Sequence, residues 1–328
     1  MFIQYVSVFL VSFFLTVISV VVLKKLAVRF RFLLCRKIPL VGGIGIGLAF
    51  SISVLYGFRI LGKTTGYGTA ILMASPVMLL FGLIDDIREL SVLSKFIAQI
   101  AAASNLLLCG VETHIIYIGC YLNVFITLIW VIGITNAFNL LDIGDGLAGG
   151  ITLLVSISFA CISFLNGDIQ TLVLCLALSG ASLGFLIFNF PPARVYMGNA
   201  GSHYAGFILA AIALIAKYAT MERKIALLSP LLILGLPILD TAFLIIVRMS
   251  KKKVPFNKSD DHIYLRFLRL GYSKRKALFG MLGMCFILSL GGILLSRVSS
   301  SYAAAILMAI TVCMVFVLRG VARAPAKG

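Results

Sequence analysis

Charge is what this chain has least of. Charged residues occupy 12% of its 328 positions, and only 11 residues are acidic. Hydrophobic residues fill 61%, and the mean hydropathy is +1.12. So little charge excludes a soluble globular domain and leaves a polytopic membrane protein. Paired cysteines are also lacking. The seven (Cys35, Cys109, Cys120, Cys161, Cys175, Cys285, Cys313) stand singly and mostly in apolar runs, with no CxxC or Cys/His cluster. They read as small core or lipid-facing residues. No internal repeat is visible, which weakens a transporter built from two related halves. The first apolar run, 2–23, has no basic n-region and no small-residue cleavage site, and Lys24 and Lys25 follow at once, so a retained helix is expected.

What is present is apolar segments of spanning length. They lie near 2–23, 40–58, 68–84, 96–112, 115–139, 150–166, 170–190, 203–217, 225–247, 278–296 and 302–318. The expected fold is an all-α membrane bundle of about eleven helices, one integral domain over 1–328, with no room for a separate soluble domain. The loops on the Asp85 side hold 22 of the 28 Lys and Arg residues. The positive-inside rule therefore puts that side in the cytoplasm, the N-terminus outside and the C-terminus inside. The net charge of +17 reads as orientation and contact with anionic lipid, with no nucleic-acid partner expected.

Four polar motifs interrupt the apolar chain, all on that face. Ionised groups beside membrane helices are costly and point to function. Asp85 and Asp86 end the run ILMASPVMLLFGLI. Such a pair can grip a hard cation such as Mg2+ beside substrate phosphates, or simply form a solvated helix end with Arg88 and Glu89. Lys95 and Gln99 follow, Lys95 either contacting phosphate or snorkelling at the membrane edge. In NAFNLLDIGDGLAGG (136–150), Asn136, Asn139, Asp142 and Asp145 recur at every third residue. The glycines there permit close backbone approach, and a helix beginning near Leu147 would offer N–H groups to an anion. In YMGNAGS (196–202), Tyr196 is an aromatic platform beside Gly198 and Asn199, or an interfacial tyrosine at a turn. The basic stretch Lys251–Lys276 combines His262, Tyr264 and Arg266, suited to capturing phosphate or to facing phospholipid. Asp240, in GLPILDTAF, reads as a buried carboxylate capped by Thr241 or paired with Arg248. His114 is expected on the outer face, and His203 as a helix-start residue.

Together, from RKIPLVGG (36–43) to RFLRLG (266–271), these motifs resemble the polyprenyl-phosphate N-acetylhexosamine-1-phosphate transferases, in that family's order and over most of the chain. The resemblance is stronger to the branch that initiates O-antigen and teichoic-acid linkage units. It implies that a polyprenyl phosphate attacks the β-phosphorus of a UDP-N-acetylhexosamine, giving polyprenyl-diphospho-sugar and UMP. That is the initiating step of a cell-surface polysaccharide, with Mg2+ (or Mn2+) as cofactor, at the cytoplasmic face of a bacterial inner membrane; a homodimer is left open. Phosphoryl transfer of this kind needs positioning and charge stabilisation above all. By motif position, Asp85 and Asp86 activate the lipid phosphate or hold metal, and Asn139, Asp142 and Asp145 line the nucleotide pocket with Asn136 nearby. Tyr196 stacks on uracil, Lys95 matches a lysine after the aspartate pair, and His262 matches the first histidine of the cytoplasmic loop. Three positions depart from the pattern: Asn199 stands where the family has a metal-binding aspartate, Tyr264 and Leu265 stand where it has further histidines, and Gly144 is shifted by one residue. These departures admit a second reading, a weakened homologue that binds lipid or nucleotide.

Overall fold

The computed structural model describes residues 1–35, 37–62, 66–115, 118–218, 224–252 and 261–322. Arg36, Lys63, Arg223, Lys253, Lys258, Arg323 and Lys327, used above to assign sidedness, lie outside the described residues. The chain is helical almost throughout. In order come α1 (Phe2–Phe30), a small antiparallel pair β1 (Leu34–Cys35) and β2 (Ile38–Pro39), α2 (Gly42–Leu61), α3 (Gly66–Ile87), α4 (Val92–Leu108), α5 (Gly119–Leu141), α6 (Leu147–Leu165) and α7 (Ile169–Asn189). There follow α8 (Gly198–Ile215), a 3-10 turn (Lys224–Leu228), α9 (Ser229–Ile233), α10 (Gly235–Ser250), α11 (Ile263–Arg269), α12 (Lys274–Leu295) and α13 (Ser300–Ala322).

Each of the eleven expected segments contains a helix. Among the described residues, nine helices are long and apolar enough to cross a membrane. The run expected near 96–112 is α4, only 17 residues long. The run expected near 225–247 is broken, with its two helices bent by 70°. Pro237 lies in the first turn after the break: it has no N–H to give to the carbonyl one turn back, which suits a helix that restarts there.

Tertiary packing rests on close backbone approach, because apolar side chains gain little by leaving lipid for one another. Gly180 and Gly184 on α7 lie directly against the backbone of Phe9 and Phe13 on α1, where a side chain would not fit. Ser12 closes that crossing by donating to the Ala177 carbonyl. The helix α8 is the hub, 83% buried over its core window, whereas α13 is 11% buried and lies at the periphery. Trp130 of α5 donates to the Ala210 carbonyl of α8 at 3.1 Å. Outward-facing side chains such as Phe14, Ile18, Leu80, Phe125 and Phe316 are exposed, as a lipid-facing surface requires.

The alternation of helices gathers the motifs at one end of the bundle. The end of α3, the start of α4, the end of α5, the starts of α6 and α8, and the end of α7 all meet there. The β1–β2 hairpin joins them, since Pro39 accepts from the Tyr196 amide at 2.9 Å and Gly42 donates to the Tyr196 carbonyl at 3.0 Å. The opposite end is tied separately, by Gln4 to Ile60, Asn166 to Lys217 and Arg297 to Leu165.

Candidate active site

Adjacent residues on a helix point about 100° apart, and Asp85 and Asp86 meet different neighbours. Asp85 turns inward, its side chain 0% exposed. One oxygen accepts from the Leu90 amide at 2.8 Å and the other from the Lys95 ammonium at 2.7 Å. That pairing closes the turn from α3 to α4 and uses both carboxylate oxygens. Asp86, partly exposed, reaches instead to the start of α8. Its Oδ1 accepts from the Asn199 amide at 2.8 Å and its Oδ2 from the Ala200 amide at 3.0 Å. The helix α8 has no side-chain cap of its own, so a carboxylate from α3 supplies one, placed where the helix dipole favours negative charge. Gly198 makes the approach possible: its φ is +72° and a Cβ there would lie 2.5 Å from Asp86 Oδ2.

Beneath this contact the Asn/Asp series of α5 divides. The Asn139 amide donates to Asn199 Oδ1 at 2.9 Å and to the Ser202 hydroxyl at 3.0 Å. Asn136 looks the other way, in a reciprocal amide pair with Gln99 of α4, both bonds 2.9 Å, and it also donates to the Ile132 carbonyl. It joins two helices and leaves the cleft to Asn139. Asp142 caps the C-terminus of α5 and its carboxylate takes no hydrogen bond among the described residues. Burial pushes its carboxyl up to about 7, and the negative charges of Asp86 and Asp145 add to the effect. Asp145 accepts from the Ala193 amide at 3.3 Å and has the Lys274 ammonium at 4.0 Å. Gly146 then begins α6, its amide donating to Asn189 at 2.9 Å, and Asn189 donates on to the Val195 carbonyl at 2.9 Å. The expected helix near Leu147 is present, starting at that residue. Tyr196 has its backbone pinned by Pro39 and Gly42 and its ring partly exposed beside the cleft.

The basic stretch contributes through α11. The Tyr264 ring lies against Gly144, where a Cβ would meet it at 2.5 Å. Burial raises the Tyr264 hydroxyl above its usual range, and the charge of Asp145 adds to this, so α11 abuts the carboxylates. The imidazole of His262 is bound through Nδ1 to Asp240 at 2.7 Å. Asp240 was expected to meet Thr241 or Arg248; its two oxygens instead take His262 and the Ile263 amide, and the Thr241 hydroxyl has no partner among the described residues.

Arg266 is held away from an open phosphate-binding role. Its guanidinium donates to Asp261 at 3.0 Å and to the Ala322 carbonyl of α13 at 3.2 Å, and lies 5.0 Å from the centre of the Phe243 ring. At Asp261, burial acts to raise the carboxyl, but the hydrogen bond and charge of Lys251, with Arg266, outweigh it and hold the group below the usual range. Arg266→Ala is therefore expected to act on stability, by about 3 kcal/mol for opening a buried pair, with KM for the donor little changed. Thermal unfolding set beside donor KM separates this from phosphate capture. His203 sits one turn into α8, buried, with Nδ1 at 3.0 Å from the Asn199 carbonyl. Sequence reasoning missed Ser202 and Asn189; the latter was signalled by an asparagine ending an apolar run.

Among the described residues no three His, Cys, Asp or Glu side chains are grouped as a ready-made ion cage. A hard divalent cation needs less, commonly one or two carboxylates plus waters and substrate phosphates. Asp86, partly exposed at the start of α8, is an oxygen donor of the kind such an ion takes, and Lys95 is already committed to Asp85.

Known proteins are similar to this chain over most of its length. The glycosyl transferase family 4 model matches residues 68–217, the span that carries α3 to α8. A Bacillus subtilis protein named as a probable undecaprenyl-phosphate N-acetylglucosaminyl 1-phosphate transferase is 30% identical over 310 residues, covering 89% of this chain and 85% of the relative. The decaprenyl-phosphate N-acetylglucosaminephosphotransferase of Mycolicibacterium smegmatis is 32% identical over 272 residues, 73% of this chain and 67% of its own length. The undecaprenyl-phosphate alpha-N-acetylglucosaminyl 1-phosphate transferase of Escherichia coli K12 is 27% identical over 259 residues, 73% and 68% of the two chains. Motifs from one end of the bundle and similarity along nearly the whole chain agree: the chain belongs to glycosyl transferase family 4, among the polyprenyl-phosphate N-acetylhexosamine-1-phosphate transferases.

Proposed function

We propose that this protein transfers an N-acetylhexosamine-1-phosphate from a UDP-sugar to a membrane polyprenyl phosphate, releasing UMP. The observation that carries this reading is Asp86 fixed by two backbone amides at the start of α8, with Asp142 at the end of α5 left without a hydrogen-bond partner among the described residues. An oxygen of the lipid phosphate forms the new bond to the β-phosphorus, and the bond from that phosphorus to the UMP oxygen breaks. Asp142, titrating near neutral pH, is suited to take a proton from the incoming lipid phosphate. Tyr196 offers its ring to the uracil, and the amide of Asn139 holds Asn199 in place. Asp86 and the Asn199 oxygen are the groups that would hold Mg2+, or Mn2+ in its place, while Asp85 stays with Lys95. When bound, the ion neutralises the diphosphate charge. We assign the site end of the bundle to the cytoplasmic face of a bacterial inner membrane, because 22 of the 28 basic residues fall on that side.

The test uses purified protein in detergent with polyprenyl phosphate, Mg2+ and a panel of UDP-N-acetylhexosamines, following UMP. Release that needs both lipid and Mg2+ is expected. The amide at 199 favours a second reading, a homologue that binds without turnover. UDP-sugar binding with no UMP from any donor would select it. Asn199→Asp adds a charge opposite Asp86, so the Mg2+ concentration for half-maximal rate is expected to fall several-fold. An unchanged Mg2+ requirement removes residue 199 from the ion site.

A further inference from the structure

The Asp240–His262 pair has a geometry that a structural cap alone does not need. Asp240 Oδ1 accepts from the Ile263 amide at 2.9 Å, which caps α11 and fixes the carboxylate. Its Oδ2 accepts from His262 Nδ1 at 2.7 Å, with the side chains 1% and 4% exposed. A buried carboxylate that accepts at Nδ1 holds that nitrogen protonated, so the lone pair, or the second proton of an imidazolium, sits on Nε2. Two residues further on, Tyr264 rests on Gly144, so the turn carrying His262 is pressed against the loop of Asp142 and Asp145. Neighbouring charges are otherwise engaged. Asp261 binds Lys251, Arg266 and Arg269, and Arg248, one turn beyond Leu244 on α10, is buried.

We propose that Asp240 is a positioning residue for the transfer: it fixes the ring of His262 so that Nε2 is the atom offered to the donor diphosphate. The inference rests on the reading of His262 as a substrate-contacting group. An amide at 240 isolates the effect. Asparagine can still accept from the Ile263 amide, but it turns an N–H toward Nδ1 and so forces the opposite tautomer. Cap and helix survive; the orientation of the ring's proton is reversed.

The experiment measures kcat, donor KM and thermal unfolding for the full chain carrying Asp240→Asn, His262→Ala, or both. Asp240→Asn is expected to lower kcat on the order of 100-fold, the scale of one acid–base or hydrogen-bonding group, with KM and melting temperature little moved. In the His262→Ala background it should slow the enzyme no further. A normal kcat for Asp240→Asn with His262→Ala impaired overturns the positioning role and leaves the site reading standing. An additional loss in the His262→Ala background overturns it too, since Asp240 would then act independently. Full activity in His262→Ala removes the histidine from the site, and the inference with it. If Asp240→Asn does not fold, Asp240→Glu replaces it. That variant keeps the charge on a longer arm, and is expected to lower kcat about tenfold, short of the full loss of one such group, only when His262 is present.

Discussion

Replacing Asp86 by Asn is expected to cut UMP release by about 10³-fold, the upper range for removing a charge-stabilising group at a transferring centre. Two effects combine. The charge that opposes Asp142 and draws the cation is removed. The new amide also points N–H at the Ala200 or Asn199 amide, so one of the bonds at 2.8 and 3.0 Å becomes a donor facing a donor. The loss of that cap costs about 1 kcal/mol, so the protein should remain folded. Asp85→Asn is the comparison that separates the two neighbours. Because Asp85 holds Lys95 and the Leu90 amide, its loss should lower the melting temperature and the rate together. The two variants are distinguished by measuring both quantities on each. Equal, rate-only losses would show that both carboxylates act on substrate.

Gly198→Ala is expected to be nearly as damaging, although it alters no polar group. Its φ of +72° lies in the left-handed region, which costs a residue with a Cβ about 1–2 kcal/mol. The added carbon would also sit 2.5 Å from Asp86 Oδ2, inside contact distance. Either Asp86 withdraws from the start of α8, or α8 moves away from α3. A displacement of about 1 Å at a reacting centre costs on the order of 10²-fold. Activity should therefore fall at least that far, with the melting temperature lowered as well. A fully active Gly198→Ala would mean that the bond between Asp86 and α8 is dispensable, and would undercut the Asp86 argument also.

The legible part of this protein was its local pattern. The apolar runs marked the long helices of the bundle but not the short α11, because a chain in lipid must satisfy its backbone within each spanning segment and so writes its spans into composition. Asn139, Asp142 and Asp145 stood out because a polar series has little structural use at the end of an apolar helix; the structure sets Asn139 against Asn199 and Asp145 against the Ala193 amide. The break at Leu234 was hidden inside an apolar run, since the backbone bends there without a change in hydropathy.

By itself the sequence determined that the chain is a helical membrane protein, where its polar motifs lie, and that alternating spans would return them to one face. Only the tertiary structure decided which partner each member of a motif meets. It split Asp85 from Asp86, gave Asn136 to Gln99, kept Arg266 with Asp261 and α13, and joined Asp240 to His262. The reason is separation along the chain. Periodicity and capping act over about four residues, but Asp86 meets Asn199 across 113 positions and Asn136 meets Gln99 across 37. Those meetings depend on the angle and depth at which helices cross, and that is set by packing such as the seating of Gly180 and Gly184 on α1, not by the residues next in line.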